Sequence, residues 1–308
     1  MGDIDIAMIV TVVLLNLGFA VLVGALLTDW QLKGEESGWV RQRQAPLRAI
    51  RLGASLWIAL MLVALLVLET STMAEVPLAE IWPSLGPILT GTHYGQVWLW
   101  SIGIVAILMV LQSIRYLPMP VELLCIVGLI AFAVSRSLVS HAVVAGNVSW
   151  PIAVETLHLL LISVWLGEVV LSGLYILRQP CKQQSDDRNA CSRYIDSLST
   201  TATIALAGIV VTALINAWRG LGSTNHLVDN PWSVILIIKL ALVAVAAGLG
   251  GFNRIKVMPP LLSGLKAGSD TNRLQIRFVR VLQIEVVVLV SVLIAAALLS
   301  ASSPPTAM

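Results

Sequence analysis

The strongest constraint on how this chain can fold is a set of eight separate runs of apolar residues. Each run is about as long as a membrane span. A helix needs about 20 predominantly apolar residues to cross the hydrocarbon core of a bilayer. The runs lie at roughly 4–27, 48–69, 95–114, 119–140, 151–177, 198–221, 231–253 and 278–300. We therefore predict an all-α integral membrane protein, a bundle of about eight transmembrane helices that forms one transmembrane domain over residues 1–308.

The composition also indicates that the chain lies in a lipid bilayer. Hydrophobic residues make up 57% of the chain and charged residues 12%, and the mean hydropathy is +0.89. A soluble domain carries about 25% charged residues. A chain this poor in charge is not solvated as a globule in water, so we expect the lipid bilayer to surround it.

Basic residues are distributed unevenly between the loops. Fifteen of the 19 Lys and Arg residues lie in the odd-numbered loops between the predicted spans, and the even-numbered loops and both tails hold almost none. Positively charged loops stay in the cytoplasm. We therefore predict that both termini face outward, which is the periplasmic side of the inner membrane in a Gram-negative bacterium.

The second loop, residues 70–94, differs from an ordinary polar connection. It is moderately apolar and contains Trp82 and three prolines. This composition favours a short helix that lies on the outer membrane surface. An ordered loop without a helix is the alternative.

All four histidines fall on the predicted outer side. His93 precedes span three, His141 ends span four, and His226 lies in the sixth loop. His158 lies seven residues into span five, about 10 Å below its outer end. Histidine is a common metal ligand, so these four are candidate ligands; interfacial histidines without a metal are the alternative.

Span five brings a carboxylate next to one of these histidines. Glu155 and His158 are three residues apart and so share one face of the helix. The pair predicts a metal site, with a hydrogen bond that pins two helices as the alternative. Imidazole and carboxylate suit Cu(II), Zn(II) or Ni(II), whereas a thioether such as that of Met8, in the outer part of span one, favours Cu(I).

Ionisable side chains within spans are costly and are expected to pair inside the bundle. Four lie well inside the predicted spans: Arg136, Glu168, Lys239 and Glu285. We expect Arg136 to pair with Glu155 near the outer side, and Glu168 and Glu285 to meet Arg254 or each other near the inner side. These residues either form structural ion pairs or line a transport path for a cation.

The three cysteines, Cys125, Cys181 and Cys191, form no CxxC pair and no even set. This predicts no disulfide framework. We expect Cys125 to be a buried small apolar residue. Cys181 and Cys191 fall in a hydrophilic loop without metal-ligand spacing.

Several stretches together resemble the copper resistance protein D family (CopD/PcoD). They are LTGTHYGQVWLW at 89–100, SHAV at 140–143, LHLLLISVWLGEVVLSG at 157–173, NPWSVILIIKLALVAVAAGLGGFNR at 230–254, and the last span with Glu285. The resemblance covers nearly the whole chain. It departs from the family pattern at Ser140 and at Glu168, where the family often has glycine.

The resemblance implies a function in copper handling at the bacterial inner membrane. It implies copper transport, commonly alongside a small periplasmic copper-binding protein of the CopC type. His141, His158, Lys239, Asn253 and Arg254 match family motif positions. The copper ion is expected as Cu⁺ or Cu²⁺, captured by the outer histidines with Glu155 and moved inward, with import as the favoured direction.

Two other functions stay open at this point. One is an outer-face copper chaperone or assembly factor that hands copper on without transport. The other is a membrane redox protein that binds haem through His141 and His158. The sequence has no GxxxxGK[ST] loop for ATP. It also shows no Ser/His/Asp arrangement and no basic nucleic-acid patch, so we predict neither an enzyme nor a nucleic-acid-binding protein.

Overall fold

The computed structural model describes residues 3–34, 36–114, 118–139, 149–181, 184–221 and 230–302. Helices form almost all of this part of the chain. They are α1 (Asp3–Gln31), α2 (Gly38–Gln44), α3 (Leu47–Ala74), α4 (Trp82–Gly91), α5 (His93–Ser113), α6 (Met119–Ser137), α7 (Trp150–Leu171), α8 (Ser185–Leu221), α9 (Pro231–Phe252), α10 (Met258–Ala267) and α11 (Asn272–Ser300). Single turns of π-helix extend α7 at Ser172–Ile176 and α9 at Asn253–Val257.

The all-α prediction and the eight spans are confirmed within the described residues. Eight helical stretches are long and apolar enough to cross a membrane: Ile4–Gln31, Gly38–Ala74, His93–Ser113, Met119–Ser137, Trp150–Ile176, Ser185–Arg219, Pro231–Ala267 and Asn272–Ser300. The chain is therefore a multi-pass membrane protein. The short helix expected in the second loop is also present as α4, with Trp82 at its start 75% exposed.

Several helices extend beyond the predicted spans. The sixth begins at Ser185 rather than near 198, the seventh continues through α10, and the eighth begins at Asn272 rather than near 278. The extra turns carry apolar side chains that are buried in the protein, such as Tyr194 of α8 and Leu261 of α10. Hydropathy averaged over a span cannot detect them because polar residues surround them in the sequence.

Helix α1 lies at the centre of the bundle and belongs to two hydrophobic cores. One side of α1, with Leu15 and Phe19, packs into a core made with α3, α5 and α6. The other side, with Ala20 and Ala25, packs into a core made with α7, α8, α9, α10 and α11. This second core extends from the membrane spans into the end of the bundle that carries α2 and α10.

A close contact between glycines fixes how α1 and α7 cross. A Cβ atom added to Gly167 would lie against the carbonyl oxygen of Ala20 and 2.9 Å from Gly24 Cα. Small residues let helices in a membrane approach to backbone contact, where packing and polar contacts hold them. The crossing therefore depends on both glycines and sets the position of Glu168, which follows Gly167.

The end of the bundle where α1 ends and α3 begins, with α2 and α10, is called the basic face here. The other end, where α5 begins with His93, is called the histidine face. Ion pairs join helices at the basic face: Lys33 to Glu122 and Arg51 to Asp29, both at 2.5 Å. Helix α2 is held there because the Trp39 backbone N–H donates to Asp187 Oδ1 of α8 at 2.7 Å.

Candidate functional site

Helix α7 carries most of the predicted site and is enclosed by protein more than any other described span. Of the residues in its most apolar stretch, 61% are buried, against 44% or less in the others. Both His158 and Glu168 are among the buried residues. Polar groups on α7 therefore face neighbouring helices, where they can find partners, rather than lipid.

The imidazole of His158 is oriented by a hydroxyl on α8. His158 Nδ1 lies 2.8 Å from Thr212 Oγ1, and the same hydroxyl lies 2.8 Å from the Gly208 carbonyl oxygen. A hydroxyl has one proton, and donating it to the carbonyl leaves its oxygen to accept from Nδ1–H. His158 Nε2 then keeps its lone pair, which is the form of imidazole that binds a metal ion.

Glu155 lies one turn from His158 and has partners on two helices. Its Oε2 accepts a hydrogen bond from Asn216 Nδ2 of α8 at 3.1 Å. The ammonium group of Lys239 on α9 interacts electrostatically with this carboxylate and with His158. Glu155, His158, Thr212, Asn216 and Lys239 are called the Glu155 cluster below.

The charged and polar neighbours of Arg136 differ from the expected partner, Glu155. Its guanidinium group interacts with Tyr94 of α5 and Glu69 of α3. In the Glu155 cluster, Lys239 is the basic residue whose charge acts on the carboxylate. The charges of Glu69 and Arg136 thus influence each other near the histidine face.

Glu168, closer to the basic face, has no exposed surface. Its Oε1 accepts a hydrogen bond from Gln31 Nε2 of α1 at 2.5 Å and lies 3.0 Å from Thr201 Oγ1 of α8. Its Oε2 is buried and has no hydrogen-bond partner among the described residues. These three residues are called the Glu168 cluster. The unpartnered oxygen is a position where a proton or a cation would be stabilised, because an uncompensated buried carboxylate is costly.

Glu285 of α11 lies beside a cavity rather than next to Glu168. Trp165 Nε1 donates to Glu285 Oε1 at 2.9 Å, so α7 and α11 are joined at this point. A cavity of about 210 Å³ is bounded by these two residues together with Met258 and Arg254. A thioether and a carboxylate therefore line one space near the basic face.

The expected contact of Arg254 with Glu168 or Glu285 is replaced by contacts to α8. Arg254 Nη1 donates to Ser199 O and Oγ, both at 2.7 Å, and to Thr203 Oγ1 at 2.8 Å. Asn253 Nδ2 donates to Phe278 O at 3.2 Å. Both side chains sit on the π-helical turn after α9, and they fix that turn against α8 and α11.

The remaining predicted ligands are only partly described. His93 Nε2 lies 3.1 Å from the Leu138 carbonyl oxygen, and Met8 Sδ lies 3.8 Å from Thr72 Oγ1. No hydrogen bond joins either residue to His158. His141 and His226 lie outside the described residues. Within the described ranges, no group of three or more His, Cys, Asp and Glu side chains forms a ready metal site.

The expectation that the cysteines form no disulfide is wrong for one pair. Cys181 and Cys191 are joined by a disulfide bond, with Cα atoms 6.3 Å apart. Cys191 is fully buried in α8 and not in a hydrophilic loop. The pairing was missed because it depends on α8 beginning at Ser185. Cys125 is free and buried, as predicted.

Comparison with known sequences identifies the family. The family model described as copper resistance protein D-like, N-terminal domain, matches residues 1–150, and the model described as copper resistance protein D matches residues 192–299. The chain belongs to the copper resistance protein D family. It is 26% identical over 223 residues to copper resistance protein D of Pseudomonas syringae pv. tomato, which covers 70% of this chain and 71% of that protein. No solved structure matches the chain.

Family membership indicates a role in copper handling, and the Glu155 cluster suits that role in part. The His158 tautomer and the nearby carboxylate supply two ligand types that copper accepts. The positive charge of Lys239 opposes a cation at the same place. Copper bound there would need a further ligand.

Sequence reasoning missed the residues that orient the predicted ones. Thr212 and Asn216 are four residues apart in span six and so share the helix face that meets α7. That spacing of polar residues in an apolar span was the available signal. Gln31 lies beyond the predicted end of span one, and no sequence signal connects it with Glu168.

Proposed function

We propose that this chain transports copper inward across the bacterial inner membrane, after capture at the histidine face. The supporting observation is that α7 bears a series of buried or partly buried polar groups along its length. Glu155 and His158 lie near one end, Trp165 holds Glu285 in the middle, and Glu168 lies beyond. Buried polar groups in a membrane span are costly, and they mark ion and substrate paths.

The orientation follows the distribution of basic loops. The basic face would lie in the cytoplasm and the histidine face, with both termini, in the periplasm. Glu155 and His158 would then receive copper from outside, with His93, His141, His226 and Met8 as further ligands during capture. A periplasmic copper-binding protein of the CopC type would deliver Cu⁺ or Cu²⁺ to the loops of this face.

The inner part of the path would use carboxylates and a thioether. Glu285 and Met258 line the cavity near the basic face, and Glu168 has one unpartnered oxygen. Arg254 and Asn253 hold helices by hydrogen bonds. With Arg136 and Lys239, they would shape the path rather than bind copper. Transport would be passive or driven by an ion gradient.

Copper binding to the purified protein is the first test. With the Cys181–Cys191 disulfide intact, we expect copper near one per chain by elemental analysis for the wild type, and loss of that copper in His158→Ala. Leu157→Ala is the matched control, because Leu157 lies on the exposed side of the same helical turn. Its copper content should equal that of the wild type.

Uptake into liposomes then separates transport from the other functions. A copper-sensitive dye inside the vesicles should respond with the wild type and not with His158→Ala. Binding without uptake would favour an outer-face chaperone or assembly factor. A Soret band in the visible spectrum would favour haem. Equal copper binding by His158→Ala and the wild type would overturn capture at this site.

A further inference from the structure

Two cysteines meet at the basic face, far along the proposed path from His158. Cys181 lies in the segment that follows α7, and Cys191 lies in the second turn of α8. Their Cα atoms are 6.3 Å apart and the residues are 10 apart in sequence. Cys191 is fully buried, whereas Cys181 is partly exposed. Cys125 lies in a different core, made with α1, α3 and α5.

The position of Cys181 is fixed by contacts that do not involve sulfur. The backbone N–H of Cys181 donates to Gln275 Oε1 at 3.0 Å. Gln275 Nε2 donates to the carbonyl oxygens of Leu177 and Gln179, both at 2.9 Å. One buried amide of α11 therefore holds the whole turn that carries Cys181.

The start of α8, which carries Cys191, is held in a similar way. Asp187 accepts from the Trp39 backbone N–H at 2.7 Å, and the Tyr194 hydroxyl lies 2.8 Å from Ser172 Oγ. The rings of Trp39 and Tyr194 pack with centroids 6.1 Å apart. These contacts flank Cys191 on both sides. The two sulfurs would therefore stay close together after the disulfide is reduced.

We propose that Cys181 and Cys191, as a dithiol, bind Cu(I) at the basic face. The proposal rests on the proposed function, because the cytoplasm keeps thiols reduced only if this face lies there. Two molecules of a cellular thiol reduce the disulfide by successive exchange, which yields two Cys thiols and one disulfide of the cellular thiol. Cu(I) then replaces the two thiol protons, which pass to solvent, and two sulfur–copper bonds form.

The ligand set favours Cu(I) over other metals. Thiolates are soft ligands that select Cu(I) among the ions this protein would meet. Structural zinc requires about four ligands, and no further His, Cys, Asp or Glu completes such a group among the described residues. Two thiolates are thus sufficient for Cu(I) and insufficient for zinc.

The surroundings of the pair allow exchange with the cytoplasm. A cavity of about 180 Å³ is bounded by Pro180, the residue before Cys181, together with Gln275, Arg178 and Arg280. Cys181 itself is partly exposed, so a small thiol could reach it and take up the copper.

A titration of the full-length protein with Cu(I) tests the site. The protein in detergent is kept anaerobic and reduced, and Cu(I) is supplied in competition with a chromogenic Cu(I) chelator. We expect Cys181→Ser to bind one Cu(I) per chain fewer than the wild type. Cys125→Ser is the matched control and should bind as the wild type does. Oxidised wild type, with the disulfide intact, should lose the same equivalent without any substitution.

Two results would overturn the proposal: equal Cu(I) binding by reduced wild type and Cys181→Ser, or equal binding by reduced and oxidised wild type. His158→Ala separates this site from capture at the histidine face. It should keep the thiol-bound equivalent while uptake into liposomes fails. If the thiol site fails and His158→Ala still abolishes uptake, the proposed function stands without this site. Full uptake by His158→Ala would instead contradict the capture step alone.

Discussion

Glu155 and Glu168 lie 13 residues apart on α7, about 20 Å along the helix axis, and the protein surrounds them differently. Glu155 is partly exposed and has an amide and an ammonium group near its carboxylate. Glu168 is fully buried, has an amide and a hydroxyl at one oxygen, and no hydrogen-bond partner at the other among the described residues.

The difference separates two uses of a carboxylate inside a membrane. A carboxylate with a nearby cation is already compensated, so an arriving metal ion must compete with that cation. A carboxylate without one is stabilised by whatever cation or proton reaches it. The Glu155 cluster therefore suits selective capture, and the Glu168 cluster suits passage.

The largest expected effect concerns the glycine that places Glu168. Gly167→Ala introduces a Cβ into the backbone contact with α1, and overpacking of this kind costs about 3 kcal/mol. The unfolding temperature in detergent should fall clearly. Gly103→Ala is the matched control, because a Cβ on Gly103 meets nothing within 4 Å. Equal unfolding temperatures for the two variants would show that α1 and α7 can move apart to accept the added Cβ without loss of stability.

Neutralising each carboxylate in turn tests the comparison directly. Glu168→Gln keeps the shape of the side chain and removes its charge, so we expect copper uptake into liposomes to fall at least tenfold. Glu155→Gln should weaken copper binding. At saturating copper, however, it should retain more uptake than Glu168→Gln does. If Glu168→Gln transports as the wild type does, the inner carboxylate is structural and the distinction between the clusters is lost.

The tautomer of His158 can be changed without touching the imidazole. Thr212→Val removes the oxygen that accepts from Nδ1, and loss of such an orienting partner costs about 10- to 100-fold in metal affinity. Copper affinity measured by competition should fall by about this factor. Thr200→Val is the control, since Thr200 is exposed and, among the described residues, its hydroxyl donates to the carbonyl oxygen one turn back. A similar affinity for both variants would contradict the oriented ligand.

The smallest effect is expected at Lys239. Lys239→Met removes the positive charge near Glu155, so copper should bind the Glu155 cluster a few-fold more tightly. The same competition assay measures the change. If the variant loses its fold instead, judged by size-exclusion profile and unfolding temperature, the lysine stabilises the bundle and does not restrain copper binding. Unchanged affinity would show that the ammonium group of Lys239 does not influence copper binding.

The sequence by itself determined the eight spans and the asymmetry of basic loops, and it indicated α4 with an ordered loop as the alternative. These features follow from local quantities, because insertion depends on how apolar each stretch of about 20 residues is. The same local reasoning placed Glu155, His158 and Glu168 inside α7 and drew attention to them.

The tertiary structure alone decided which of these residues meet. Thr212 reaches His158, Gln31 reaches Glu168, Trp165 reaches Glu285, and Cys181 reaches Cys191 only because the helices have particular rotations and crossings. Those rotations depend on contacts between distant parts of the chain, such as Gly24 against Gly167. Hydropathy and spacing report the depth of a residue in the membrane, whereas the partner across a helix interface is set by packing of the whole bundle.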